Sequence, residues 1–180
     1  YHQGICSAVD HVLKGQSAGG AITTSVVEEA EYMLEDLASM AKAYNLICVA
    51  HAHIDMNWMW RWDETVSITL DTFRTMLDLM DEYPQFTFSQ SQASVYKIVE
   101  DYGQSMLQEI KERVREGRWE VSASTWVEAD KNLPNGESMA RHLLYTKRYL
   151  AKLLDIDADS LNLDYEPDTF GHSINVPEIL

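Results

Sequence analysis

The sequence predicts an α/β fold built on a parallel sheet, and three observations predict it. Short continuous apolar runs alternate with longer amphipathic stretches. The runs have the length of buried strands. The polar residues able to carry chemistry fall directly after those runs. Residues 1–24, with Gly15, Gly19 and Gly20, show no sustained period and read as a leader or linker, leaving 25–180 as the α/β part. From Ser25 to Tyr44, Val26, Val27, Ala30, Met33, Leu34, Leu37, Met40 and Ala41 recur at three- and four-residue spacing with acids between them, which predicts an amphipathic helix. Leu46–Ala50 is the first strand. Asp63–Tyr83 is helical, with Val66, Leu70, Phe73, Leu77 and Met80 on one face and Pro84 as its stop. Phe86–Ser89 is the second strand. Residues 92–116 hold one or two helices broken near Gly103 and capped by Gly117. Trp119–Ala123 is the third strand, Glu137–Leu154 a helix, and Leu161–Tyr165 a fourth strand. Strands alternating with helices imply parallel pairing through right-handed crossovers.

Composition narrows the partners. The 180 residues carry 14 basic and 29 acidic side chains, a formal net charge of −15, which argues against a nucleic-acid groove or an anionic membrane as the main partner. Hydrophobic residues at 46% and charged residues at 24% are ordinary for a globular chain and exclude general disorder. No apolar run approaches the roughly 18 residues of a membrane-spanning helix. Two cysteines, Cys6 and Cys48, are too few for a disulfide framework and favour a cytoplasmic compartment, with Cys48 expected buried in its apolar run. The chain starts at Tyr1 rather than Met, and its last apolar segment, 174–180, starts helix-like and stops; it reads as a piece of a longer polypeptide.

Ligands in parallel α/β folds bind beyond the carboxyl ends of the strands. His51, His53, Asp55 and Trp58 follow the first strand, and Ser89 and Gln90 the second. Trp126, Glu128 and Asp130 follow the third, and Asp168 and His172 the fourth. Four loops should therefore converge on one rim. In extended backbone, residues two apart point the same way, so His53 and Asp55 could grip one divalent ion; His51 with His53 is a rival pair, and a hydrogen-bonded or capping role fits the same spacing. Asp130 could be a third ligand, a nucleophile or a turn residue among Asn132, Pro134, Asn135 and Gly136, and Glu128 competes with it. Trp58, Trp60 and Trp62 suit core packing, or for one of them a sugar face.

Three ordered pieces together resemble the retaining alpha-mannosidases of glycoside hydrolase family thirty-eight. They are Ala50-His-Ala-His-Ile-Asp-Met-Asn-Trp58, the stretch Trp126–Ser138 with Arg141, and Pro167-Asp-Thr-Phe-Gly-His-Ser173. The resemblance implies a catalytic zinc on His53, Asp55 and Asp130, with Asp130 also the nucleophile and Trp58 lining the sugar site. It implies an incomplete (β/α) barrel of the glycoside hydrolase and deacetylase type, of which this chain would be the N-terminal portion. It also implies a mannose-containing oligosaccharide or glycoside as substrate. The family's last zinc-binding His and its acid/base Asp would lie downstream of Leu180, so the isolated chain is expected to turn over poorly and to associate, as a homo-oligomer or otherwise, through uncovered apolar surface. Met56-Asn57 departs from the Pro-Gly often found there, which bears on loop shape. The runner-up reading is an amidohydrolase-type metal site on His51 and His53, which leaves the Asp130 and Asp168 loops unexplained; a non-catalytic fragment is the third.

Overall fold

The computed structural model describes residues 1–19 and 21–179, and it divides into two compact units, Tyr1–Cys48 and Val49–Leu180. Gly20 and Leu180, which the sequence reading placed in the leader and the terminal apolar segment, lie outside the described residues.

The first unit is helical: α1 (His2–Gly19), α2 (Thr24–Met33) and α3 (Glu35–Ala41). The stretch expected to be irregular is thus a helix over 2–19. Its glycines hide the period, but Gly15 lets α1 approach α2, since a Cβ there would sit 2.8 Å from Val26. His11 adds a pair to Glu29 across the same contact at 3.0 Å. The single helix expected over Ser25–Tyr44 is broken at Leu34, whose backbone (φ −103°, ψ 3°) leaves the helical well.

The second unit carries the sheet. Its elements are β1 (Ala50–His51), α4 (Trp62–Glu82), β2 (Phe88–Gln90), α5 (Ala93–Tyr102), α6 (Gln104–Arg115), β3 (Trp119–Val121), α7 (Gly136–Leu154), a 3-10 turn (Ala158–Ser160) and α8 (Val176–Ile179). The strands pair in the order β1-β2-β3, all parallel, with Ala50 opposite Phe88 and Phe88 opposite Trp119. Connections of this length through helices are what parallel pairing requires.

Two strands are shorter than the sequence predicts, for one reason. Pro84 ends α4, and the Phe86 N–H then closes a turn onto the Tyr83 carbonyl, so the ladder can open only at Phe88. β1 can pair only where β2 does, and Leu46, Ile47, Cys48 and Val49 are left exposed rather than buried. The fourth predicted strand, Leu161–Tyr165, joins no ladder among the described residues; its Asp164 is held by side chains instead, from Ser124 and Lys131.

Packing under the sheet centres on Trp119, which meets Phe88 at 4.7 Å and Phe73 at 5.1 Å between ring centroids, both edge-to-face. Its indole N–H donates to the Tyr96 hydroxyl, which donates to the Gln90 carbonyl. Burial without a charged partner pushes the Tyr96 phenol far above its ordinary pKa. On α4, Phe73, Leu77 and Met80 are buried as expected, but in the first two turns the buried positions are Thr65 and Thr69, with Val66 and Leu70 only partly covered. Their hydroxyls are satisfied on backbone: Thr69 donates to the Thr65 carbonyl, and Thr65 to that of Met56 at 2.7 Å. Arg118 closes the other end of α4, donating to the carbonyls of Met80 and Tyr83. Gly103 separates α5 from α6, and a Cβ there would fall 2.8 Å from Leu70 and from Met106.

Candidate active site

Beyond the strand ends, His53, Asp55, Gln92, Glu128, Asp130, Asp168 and Thr169 line one cleft of about 410 Å³. The predicted convergence of four loops is present. The second strand, however, contributes Gln92 rather than Ser89 or Gln90. Those two stay inside the sheet, Ser89 sharing a hydrogen bond with Ser122 at 2.7 Å and Gln90 donating to the Ala52 carbonyl.

His53 stands among carboxylates. Its Nε2 lies 3.4 Å from Asp55 and 3.6 Å from Asp168, and its Nδ1 lies 3.1 Å from Glu128 Oε2. Among the described residues, His53, Asp55 and Asp168 form a group whose donor atoms lie within 4.8 Å of one another. Asp130 lines the same cleft but stands outside that group, its Oδ1 accepting the Asn132 N–H at 3.0 Å. Asp168, placed by the sequence on the rim after the fourth run but given no ligand role, is thus the third member of the group with His53 and Asp55.

Glu128, the rival of Asp130, is committed to structure on one side. Its Oε1 accepts the Asp168 N–H at 2.6 Å and the Thr169 hydroxyl at 3.2 Å. Its Oε2 is buried without a hydrogen-bond partner. The one Thr169 hydroxyl proton is shared between Glu128 and Glu166, whose Oε2 lies 3.1 Å away, and Glu166 pairs with Lys131 at 2.9 Å. Lys131 is 4% exposed and reaches Asp164 as well, at 2.5 Å. Burial raises the Glu166 carboxyl above its ordinary pKa, against the opposing pull of Lys131. Gln92 ties two loops together: its amide donates to the Ile54 carbonyl at 2.9 Å and accepts the Glu128 N–H at 3.0 Å. Sequence reasoning passed over both residues. Lys131 lies between Asp130 and the turn formers that begin at Asn132, and nothing in the local pattern marks it or Gln92.

His51 faces the sheet. Its Nδ1 is 2.8 Å from the Ser89 carbonyl, which can only accept, so Nδ1 carries the proton there. Nε2 lies 3.5 Å from the Ser91 hydroxyl, and the ring meets Tyr165 edge-on at 4.7 Å. Burial, with His53 nearby, holds this imidazole below its ordinary pKa, while the Ser89 bond and Glu128 pull it up. Trp58 is 63% exposed and leans on Trp60 at 5.4 Å, outside the residues that line the cleft. Trp60 turns its N–H to the Asp55 carbonyl, and Trp126 packs on Tyr149. His172 is exposed, and Arg141 is on α7 with Glu137 and Tyr145.

The donor set fits a divalent cation. One imidazole with converging carboxylates is a borderline-hard nitrogen and oxygen site of the kind zinc takes. The buried Oε2 of Glu128, 3.1 Å from His53 Nδ1, adds negative charge beside the pair that a bound cation would offset.

The model of the glycosyl hydrolases family 38 N-terminal domain matches residues 43–180. Alpha-mannosidase G of Dictyostelium discoideum is 39% identical over 132 residues, 73% of this chain and 12% of that protein. Alpha-mannosidase 2C1 of Homo sapiens is 33% identical over 137 residues, 76% of this chain and 13% of that protein. The crystal structure of an alpha-mannosidase from Enterococcus faecalis V583 shares the fold with a TM-score of 0.64 at 23% identity, over 72% of this chain and 14% of that one. The chain therefore spans 12–13% of the length of these curated relatives. With the matched segment running across every loop of the cleft, the chain belongs to glycosyl hydrolase family 38, and residues 43–180 are of its N-terminal domain.

Proposed function

We propose that this chain supplies the nucleophile and most of the metal-holding groups of a zinc-dependent retaining alpha-mannosidase, acting on terminal mannosides of oligosaccharides or glycosides. The observation that carries the proposal is the meeting of His53, Asp55, Glu128, Asp130 and Asp168 in one cleft of a chain that belongs to this family. In this reading the three-stranded sheet is the first part of an incomplete (β/α) barrel. His53 and Asp55 would hold the ion together with Asp130, and Asp168, within reach of the same pair, is the competing carboxylate. A bound zinc would stabilise charge on the sugar as the oxocarbenium-like state develops. The two exposed free thiols, Cys6 and Cys48, support the cytoplasmic location that belongs to the same proposal.

The roles of the two carboxylates on the third loop follow from their surroundings. Glu128 is 6% exposed, and one of its oxygens is held by Asp168 and Thr169, so it is fixed as a brace. Asp130 is exposed at the cleft, and only its Oδ1 is engaged, by the Asn132 N–H. Its other oxygen is available to attack the anomeric carbon, forming an ester bond as the bond from that carbon to the leaving oxygen breaks. The leaving oxygen takes its proton from an acid, and water, giving a proton to that acid's conjugate base, then attacks the anomeric carbon and releases the carboxylate. Trp58 presents an apolar face suited to a sugar ring.

The test is substitution in a full-length enzyme that carries this segment. Asp130→Asn should abolish turnover of an aryl alpha-mannoside without unfolding, while Glu128→Gln should leave measurable turnover. The reverse ranking overturns the assignment. If His51→Ala and His53→Ala lost zinc equally, the amidohydrolase reading would gain.

A further inference from the structure

We infer that Gln92 is a positioning residue that sets the distance between the metal-holding loop after β1 and the carboxylate loop after β3. The inference rests in part on the metal reading above, but its geometry stands apart from it. Gln92 is one of two non-glycine residues with positive φ among the described residues, at φ 66° and ψ 116°. A backbone in that region is sparsely populated by side chains with a Cβ and persists only where its surroundings hold it. Nothing in the start of α5 requires it: Gln92 occupies the N-cap position, yet its side chain caps nothing on the helix.

What the strained backbone achieves is direction. The side chain is 3% exposed and turned away from its own helix, into the floor of the cleft. There one amide spans two loops, 2.9 Å to the Ile54 carbonyl and 3.0 Å from the Glu128 N–H. Ile54 lies between His53 and Asp55, and Glu128 is two residues before Asp130. A single planar group therefore fixes the spacing of the pair that would hold the ion and the loop that would complete it. A neutral amide is suited to this place, since it supplies one donor and one acceptor without adding charge beside four carboxylates.

The test uses a full-length enzyme that carries this segment, with Gln92→Ala and Gln92→Gly. Both remove the bridge, but only glycine also relieves the positive φ, so the two variants should differ in unfolding midpoint, with glycine the higher. Amide hydrogen exchange at Glu128 should accelerate about tenfold in both, while exchange at Phe88 and Ser89 in β2 stays unchanged. Zinc affinity, read by calorimetry, should weaken about tenfold or more in both, irrespective of their difference in stability. Zinc affinity that instead tracks stability, with glycine restored to the parent's value, overturns the positioning role in favour of a merely structural one. Unchanged exchange at Glu128 overturns it outright. If the parent enzyme itself bound no zinc, the metal reading would fall, and the inference would stand or fall on the exchange result.

Discussion

Replacing Lys131 by methionine removes the only cation from a buried triad. Lys131 is 4% exposed, its partner Glu166 3%, and Asp164 20%, with ammonium-to-oxygen distances of 2.9 Å and 2.5 Å. At an effective dielectric of about 20, each such pair attracts by roughly 6 kcal/mol, most of which offsets the desolvation of the ions. Truncating one side leaves two carboxylates buried together, a change that costs about 3–5 kcal/mol. For a chain of this size that is roughly 6–20 °C in melting temperature. The penalty should depend on pH. Burial already raises the Glu166 carboxyl, and without Lys131 it rises further, so in the folded variant the group favours its protonated form. A raised carboxyl costs stability above its folded pKa, and the cost fades as pH falls through that value. Urea unfolding at pH 7.5 and at pH 5 should therefore show a large loss at the higher pH and a smaller one at the lower. A loss below about 1 kcal/mol at pH 7.5, or one that is the same at both, would refute the reasoning.

Thr65→Val keeps the shape of a fully buried side chain but removes its hydrogen bond to the Met56 carbonyl, and should cost about 1–2 kcal/mol in urea unfolding while loosening the loop that bears Asp55. The half-buried His142 is held below its ordinary pKa by burial and by Lys131. A depressed histidine contributes stability that is present above its unfolded value of 6.5 and is lost as pH falls toward its folded one. His142→Gln should therefore flatten part of the acid-side decline below pH 6.5 in melting temperature, with His51, shifted the same way, contributing to what is left. Trp58→Ala, at an exposed position, should leave stability within about 0.5 kcal/mol yet lower kcat/KM for an alpha-mannoside in a full-length enzyme roughly tenfold; unchanged kinetics would remove Trp58 from the sugar site.

Much of the helical framework was legible because its signals are local. Pro84, Gly103 and Gly117 end helices where they were expected to, and Phe73, Leu77 and Met80 are buried on the predicted face of α4. The strands were legible in position but not in extent. An apolar run such as Leu46–Val49 reports hydrophobicity, whereas a strand also needs a partner whose N–H groups are free, and the turn at Phe86 has taken one. The fourth run failed for a related reason: Asp164 is engaged sideways, by Ser124 and Lys131, and no ladder forms there among the described residues. At the site, i, i+2 spacing marked His53 and Asp55 as a chelating pair with His51 and His53 as its rival, and His53 and Asp55 both line the cleft. Asp168 was legible as a rim residue but not as a partner of that pair, and Gln92 was not legible at all, because their contacts lie 36 to 40 residues away in the chain. Thr65 and Lys131 carry no local mark for a similar reason: nothing in a polar residue's type shows that partners distant in the chain satisfy it in the interior.

The most direct test of the nucleophile assignment is covalent trapping. A fluorinated mannosyl substrate with a good leaving group slows hydrolysis of the glycosyl ester, and a full-length enzyme carrying this segment can then be digested and mapped by mass spectrometry. The account predicts one added fluoromannosyl group, on the peptide containing Asp130 and on that residue. An ester on Glu128 or Asp168, or active turnover through which no glycosyl ester accumulates, would contradict it.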